Sequence, residues 1–452
     1  MIRTFVSAIQ IGLLVVAAIW IAQRPGTIEI HWLGYDVTAH VGLVFLGLIF
    51  VVAVILFLHR ILLAAGALPG RFRKRKENKQ YEKGYKELTQ GLSAVAAGDA
   101  AEASAHAKKN RALWPEDQGL SLLLEAQAAR LRGEEEVARL SFDKLLANKD
   151  TAFLGLRGLL VHAMETGDTN RALDLAQKAW KMHPEQPWII RMVYDLGLQQ
   201  HQWQLAENTL KNAVRYQVVT PQKAQSDRIA MLLARADEAF VKGEDSSALK
   251  LFKEAYRLDQ SFVPSAQRLA EFYRARGKNR AAQTVIEKTW ALNPHPDLIK
   301  LWDTLIPRTK KDSSTERLRW FEKLASSRPD SEESHLTMAQ VALDAQLWGQ
   351  AREYLQKAED IALSARLYKL YATLEDQSGH SADAYEWQEK AATAPPEKKW
   401  VCKQTGMTYE KWSPVAHPHG TFNSIIWDYP NSYAILPLQN NLPQNELLIT
   451  AK

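Results

Sequence analysis

Small residues return along this chain at a spacing close to 34, and no other feature restricts its possible folds as much. Ala103, Ala138, Ala172, Ala206, Ala248, Ala282, Ala351 and Ala384 are separated by 35, 34, 34, 42, 34, 69 and 33 residues. Gly98, Gly133, Gly167, Gly243, Gly277 and Gly379 each precede one of these alanines by five residues, and Pro115, Pro184, Pro294, Pro329 and Pro396 close units. A residue with free φ between two helices, a small residue where they cross and a proline after the second describe a stack of two-helix units. The clearest copy runs from Phe153 to Gln186: Gly167 ends a first helix, Ala172, Ala176 and Ala179 line the second, and Pro184 closes it. The interval of 69 is two units, one of them degenerate with its second helix near 317–326. The expected fold is therefore all-α, a solenoid of about nine helix pairs over residues 84–396. Extra residues near 219–226 and a polar run at 307–315 interrupt it, as hinges or as surface insertions.

The ends differ from this middle. Residues 5–22 carry no charge, and a second uncharged run, 41–58, continues with apolar residues to Leu68. Both are long enough to cross a hydrocarbon core of about 30 Å. Gln23-Arg24-Pro25 is a poor cleavage site for a secretory signal, so residues 1–70 are expected to form a transmembrane hairpin with spans at about 5–22 and 41–63. In the loop between the spans, residues 27–32 alternate as a strand does, and Trp32 and Tyr35 suit the outer membrane interface. Beyond the second span, in a segment 71–83, Arg71, Arg73, Lys74, Arg75, Lys76 and Lys79 oppose Glu77 alone and so supply +5 of a net charge of +6. Such a cluster reads as a topological signal lying against anionic headgroups. It places the repeats and both termini on the cytoplasmic side and argues against nucleic acid as a partner.

Nothing in the chain announces chemistry. GxGxxG, GxxxxGK[ST], HExxH and GxSxG are absent, and no cofactor or catalytic residue is assigned. The single cysteine, Cys402, excludes an internal disulfide. His162, His183 and His201 follow the repeat and not a metal-ligand spacing. The expected activity is binding, on the concave face lined by first helices, where Arg191, Tyr194, Arg228, Arg235, Tyr273 and Arg274 are candidate groove residues. After Pro396 the periodicity stops. Residues 397–452 hold two short knuckles, Cys402-x2-Thr405-Gly406 and Ala416-x2-His419-Gly420. Only Cys402 and His419 remain of four ligand positions, too few for a closed tetrahedral zinc site. A metal-free cap built on Trp400, Trp412, Phe422 and Trp427, shielding the last helix pair, is expected instead.

The pattern of small residue, Gly, Ala, apolar residue, Ala and Pro resembles tetratricopeptide repeats, with departures at His201 and Gln346, which stand where Gly is usual. The order of two spans, basic stretch, repeats and knuckle remnant resembles the proteobacterial HemY family over the full length, most specifically in Trp32-Leu33-Gly34-Tyr35-Asp36 and Ala105-His106-Ala107. That resemblance implies an inner-membrane protein associated with a late step of protohaem formation, whose partners are proteins of haem biosynthesis. The flavin protoporphyrinogen oxidase of the same name has a dinucleotide fold, and no Gly-rich βαβ start matches it here. The resemblance thus implies a scaffold and not an oxidase. Two alternatives remain: an envelope-biogenesis adaptor resembling the lipopolysaccharide-assembly proteins that combine an anchor, repeats and a rubredoxin-like end, and a porphyrin or haem chaperone.

Overall fold

One helix carries what the sequence divides into three segments. The computed structural model describes residues 26–32, 34–114, 119–307 and 313–433, with isolated positions between 12 and 23. It separates into two compact units, residues 1–138 and 139–452. In the first, strands β1 (Thr27–Trp32) and β2 (Tyr35–His40) form an antiparallel hairpin that leads into α1 (Val41–Ala97). Helix α1 runs 57 residues without a break, about 85 Å at 1.5 Å per residue. Its start, Val41–His59, has a mean hydropathy of 3.2, is long and apolar enough to cross a membrane and is not buried by the rest of the chain. Its end packs on α2 (Ala100–Leu113) and α3 (Leu120–Leu131) through Leu88, Ala94, Ala103, Ala107 and Leu124. Expected boundaries at 70 and 83 therefore fall inside a single helix. The expected first span lies almost wholly outside the described residues, as do the side chains of Arg71, Arg73, Lys74, Arg75 and Lys76; Lys79 is exposed.

The remaining helices alternate as first and second members of pairs. They are α4 (Glu135–Leu145), α5 (Ala152–Glu165), α6 (Thr169–Met182), α7 (Pro187–Gln199), α8 (Trp203–Arg215), α9 (Pro221–Val241) and α10 (Asp245–Leu258). They continue as α11 (Val263–Ala275), α12 (Asn279–Leu292), α13 (Pro296–Asp303), α14 (Ser314–Ala325), α15 (Glu332–Asp344), α16 (Trp348–Glu359), α17 (Ala365–Gln377) and α18 (Ser381–Thr393). The turns are built as the spacing predicts: Gly98, Gly133, Gly167, Gly243, Gly277 and Gly379 all have φ between +69° and +87°. An acidic residue follows at the next N-terminus in the clearest cases, Asp99 accepting from the Ala101 and Glu102 amides and Asp168 from the Arg171 amide. His201 and Gln346, the two departures, adopt the same left-handed geometry at φ 56° and 58°. The backbone position is thus kept where glycine is not, at a steric cost of about 1–2 kcal/mol each.

The eight extra residues near 219–226 lengthen a helix. Thr220 caps α9, and the extra length makes that helix 21 residues long where its neighbours have 13 or 14. Of the second irregularity, residues 308–312 lie outside the described residues, and Ser313 caps α14. There Trp302 and Trp320 stack with centroids 4.7 Å apart, and each indole N–H donates to the other residue's carbonyl.

Candidate functional site: a cleft walled by the C-terminal module

The tail does not sit over the last helix pair. After α18 the chain returns along earlier first helices and folds into short strands: β3 (Lys399–Cys402), β4 (Thr408–Tyr409), β5 (Val415–Ala416), β6 (Thr421–Phe422) and β7 (Ile425–Asp428). β3 is central, antiparallel to β4 and β7, and β5 pairs with β6. Trp400, Cys402, Trp412, Ala416 and Ile425 belong to the same buried cluster as Leu233, Phe252, Leu269, Trp290 and Trp302. The expectation of a cap shielding the last pair is thereby corrected. Its aromatic residues find partners much earlier in the array, where large apolar surface is available to cover them.

Each contact can be named. The Trp400 indole N–H donates to Asp297 Oδ2 at 2.8 Å. His295 forms a three-ring cluster with Trp400 and Trp427, its centroid 5.3 and 4.2 Å from theirs, and the two indoles are 5.3 Å apart. Trp412 meets Phe262 edge-on at 5.3 Å, and Phe422 stacks on Trp203 at 5.6 Å. Asn423 donates through Nδ2 to Asp227 Oδ1 at 2.7 Å and to Ser226 Oγ at 2.9 Å. Both acceptors lie on the extra N-terminal length of α9. Asp227 is fully buried and also accepts from the Tyr194 hydroxyl and the Lys223 ammonium, each at 2.6 Å. Burial, reinforced by Asp227, pushes the Tyr194 phenol above its ordinary pKa.

The knuckle that resembles a metal site is closed by hydroxyls. The Cys402 thiol donates to Ser424 Oγ at 3.3 Å and lies 3.5 Å from Thr421 Oγ1. Burial opposes ionisation of the thiol, but the donors from Ser424, Thr405, Thr421 and the Gln404 backbone outweigh it and lower the pKa to about 7. His419 Nε2 instead lies 3.0 Å from Met407 Sδ. Among the described residues no group of three or more His, Cys, Asp or Glu side chains is placed to hold a metal ion. The donor set here, one thiol and several hydroxyls, does not suit zinc.

Between the module and the later first helices a cleft of about 1070 Å³ stays open. α11, α13, α15 and α17 contribute Arg274, Lys300, Glu333 and Arg366, and the module contributes Lys399, Tyr409, Lys411 and Trp427. Arg366 Nη1 donates to both Glu333 carboxylate oxygens, at 2.7 and 2.8 Å; burial raises the carboxyl pKa and Arg366 opposes that shift. His295 Nδ1 accepts the Asp297 amide, which leaves the proton on Nε2, and that buried atom has no partner among the described residues. Burial lowers the His295 pKa to about 4, Asp297 opposing and Lys300 assisting. The acids of the cleft are largely matched, by Lys300 and Trp400 on Asp297, Ser364 on Glu332, Arg366 on Glu333 and Lys369 on Glu397. Arg274, Lys399 and Lys411 are exposed and have no carboxylate partner among the described residues.

Of the six groove residues named from the sequence, only Arg274 lines this cleft. Tyr194 is buried on Asp227, and Arg228 and Arg235 both hold Glu207, Arg228 also pairing with Glu254. Arg191 reaches the Val218 carbonyl at 3.5 Å, and Tyr273 packs against the main core. Sequence reasoning missed His295, Asp297, Glu333, Lys399 and Lys411. The run Asn293-Pro294-His295-Pro296-Asp297, a polar group beside two prolines at a helix start, was the one available signal.

Residues 26–133 match the family described as HemY protein N-terminus. The matched stretch spans the β-hairpin, all of α1, α2 and α3. A probable magnetosome protein, Mms48 of Magnetospirillum gryphiswaldense, is 25% identical over 431 residues, covering 94% of this chain and 93% of the relative. Among solved structures, a tetratricopeptide repeat protein from Parabacteroides merdae is 14% identical over 69% of this chain and 100% of its own, with a TM-score of 0.28. The Naa15/Naa10 complex bound to HypK-THB is 14% identical over 70% of this chain and 59% of that one, with a TM-score of 0.36. The described helices form a repeat array, and its N-terminal stretch is similar to the HemY N-terminus.

Proposed function

We propose that this protein is a membrane-anchored scaffold whose cleft between α11, α13, α15, α17 and the C-terminal module holds a segment of a partner protein. The observation that supports it is α1: the apolar stretch Val41–His59 and the first repeat helix, from about Gly84, are parts of one helix. A partner held by the helices would stay close to the bilayer, and confinement of that kind raises effective concentration without any catalytic group. The topology we infer is that expected from the sequence, a two-span hairpin in a bacterial inner membrane with about nine tetratricopeptide-like pairs on the cytoplasmic side. By the HemY resemblance, the partners are enzymes of a late step of protohaem formation, brought together where a poorly soluble porphyrin is handed on.

Photocrosslinkers at Thr304 and Leu336, both in the cleft, test this reading in native membranes. The expected adducts contain haem-biosynthetic enzymes and disappear when Arg274, Lys399 and Lys411 are all changed to Glu. Adducts made of envelope-assembly proteins, together with normal porphyrin pools in a deletion strain, would favour the adaptor and overturn the haem reading. Stoichiometric porphyrin binding by the purified chain would favour the chaperone.

A further inference from the structure

The hairpin that precedes α1 is sorted completely by side chain. Its register pairs Ile28 with Ala39, Ile30 with Val37 and Trp32 with Tyr35, alternating with Thr27–His40, Glu29–Thr38 and His31–Asp36. Directly opposed residues share a face and successive residues alternate. One face therefore holds only apolar and aromatic positions and the other only polar ones. The polar face is internally satisfied where it can be, His31 Nδ1 pairing with Asp36. Among the described residues the apolar face is open at its centre and turn, Ile30 being 49% exposed, Val37 57% and Tyr35 76%, while Ile28 and Ala39 are half-buried. A two-stranded ribbon with one uncovered apolar face is marginal in water, so this face has an occupant.

The hairpin's attachment points to which one. β2 ends at His40 and α1 begins at Val41 with no linker, and the Val41 amide donates to the Gly26 carbonyl at 3.0 Å just before β1. Both ends of the hairpin are thereby tied to the first residue of the apolar Val41–His59 stretch. Both acids, Glu29 and Asp36, lie on the polar face, and the two aromatic positions, Trp32 and Tyr35, meet at the turn. Rings with an apolar body and a polar tip are the residues that settle at a membrane–water interface. We propose that the hairpin is a membrane-interface foot, its Ile28, Ile30, Trp32, Tyr35, Val37 and Ala39 face lying on the lipid surface that α1 enters. Strands of six residues extend about 20 Å, so the foot fixes the azimuth of α1 at the membrane surface. This rests on the reading of Val41–His59 as membrane-spanning.

The test uses the full chain carrying Cys402→Ser, with single cysteines at Ile30 or Val37, at Glu29 or Thr38, and at Val51 within the apolar stretch. Each is labelled with an environment-sensitive fluorophore and reconstituted in phosphatidylcholine–phosphatidylglycerol vesicles with and without doxyl-labelled lipid. Lipid quenching at Ile30→Cys and Val37→Cys at least threefold stronger than at Glu29→Cys and Thr38→Cys, with Val51→Cys quenched, is the expected result. Equal, weak quenching on both faces while Val51→Cys is quenched overturns the foot and spares the span. Weak quenching at Val37→Cys with efficient disulfide crosslinking of two chains there also overturns it, assigning the face to a second copy. An unquenched Val51→Cys overturns the span and the foot together.

Discussion

Asn423 joins the C-terminal module to α9, and its removal loosens that joint by an amount the geometry sets. The side chain gives two hydrogen bonds, to Asp227 Oδ1 at 2.7 Å and to Ser226 Oγ at 2.9 Å, and the backbone sits at φ 47°. A bond to a buried carboxylate is worth about 1.5–3 kcal/mol. Asp227 keeps Tyr194 and Lys223 as donors, so its charge is not stranded and no larger loss is expected. Asn423→Gly keeps the left-handed backbone and removes only the side-chain bonds, which costs about 2–3 kcal/mol. Asn423→Ala adds strain and costs about 1 kcal/mol more. Hydrogen exchange in the full chain reads this directly. The amides of Cys402 and Lys403, which donate to the Met407 and Ser424 carbonyls, exchange when the module opens. At 1.4 kcal/mol per decade, Gly speeds them by roughly 30- to 150-fold and Ala by a further fivefold. The α17 and α18 amides, on helices outside the buried cluster that the module joins, keep their wild-type rates. Exchange within threefold of wild type in Asn423→Ala would refute the anchoring role, and equal rates for Gly and Ala would refute the backbone contribution.

Four other outcomes follow from the same structure. Gln346→Gly relieves a left-handed residue at φ 58° and raises the urea midpoint by the equivalent of about 1 kcal/mol; His201→Gly gains less, because His201 also stacks on Trp203 at 4.9 Å. Gly158→Ala puts a Cβ 2.3 Å from the buried Phe142 ring and costs about 1–3 kcal/mol in the same assay, with recovery in the Phe142→Leu double variant. His295 stays neutral when folded down to about pH 4, whereas the unfolded chain takes up that proton near 6.5. The module is therefore held less tightly as pH falls from about 6.5 to about 4, and His295→Asn, which keeps an acceptor at the helix start, flattens that slope in Trp fluorescence. The Cys402 thiolate absorbance near 240 nm rises with a midpoint of about pH 7, and Ser424→Ala moves that midpoint upward by removing a donor to the thiolate.

The period of 34 is a local property, and it carried the fold. Gly98 to Gly379 mark left-handed turns because no other residue takes that backbone without strain, and the alanine five positions later marks a crossing because a larger side chain would hold the helices apart. Even His201 and Gln346, which break the composition, occupy the geometry that the register assigns to them. The groove residues were read less well. That Arg228 lies on a first helix is legible; that it pairs with Glu207 and Glu254 is not, because a charged residue fits either face until the neighbouring helices supply a partner.

By itself the sequence determined the helical repeat, the uncharged stretch at 41–58 and the HemY-like N-terminal region. It did so because helix turns and apolar length are written in residues that lie near one another in the chain. Only the tertiary structure decided that α1 is one helix from apolar stretch to first repeat and that the tail folds back on α9, α11 and α13. Trp400 meets Asp297 across 103 residues and Asn423 meets Asp227 across 196. Contacts at that separation have no period, and they form only once the array has built the surface on which the module lies.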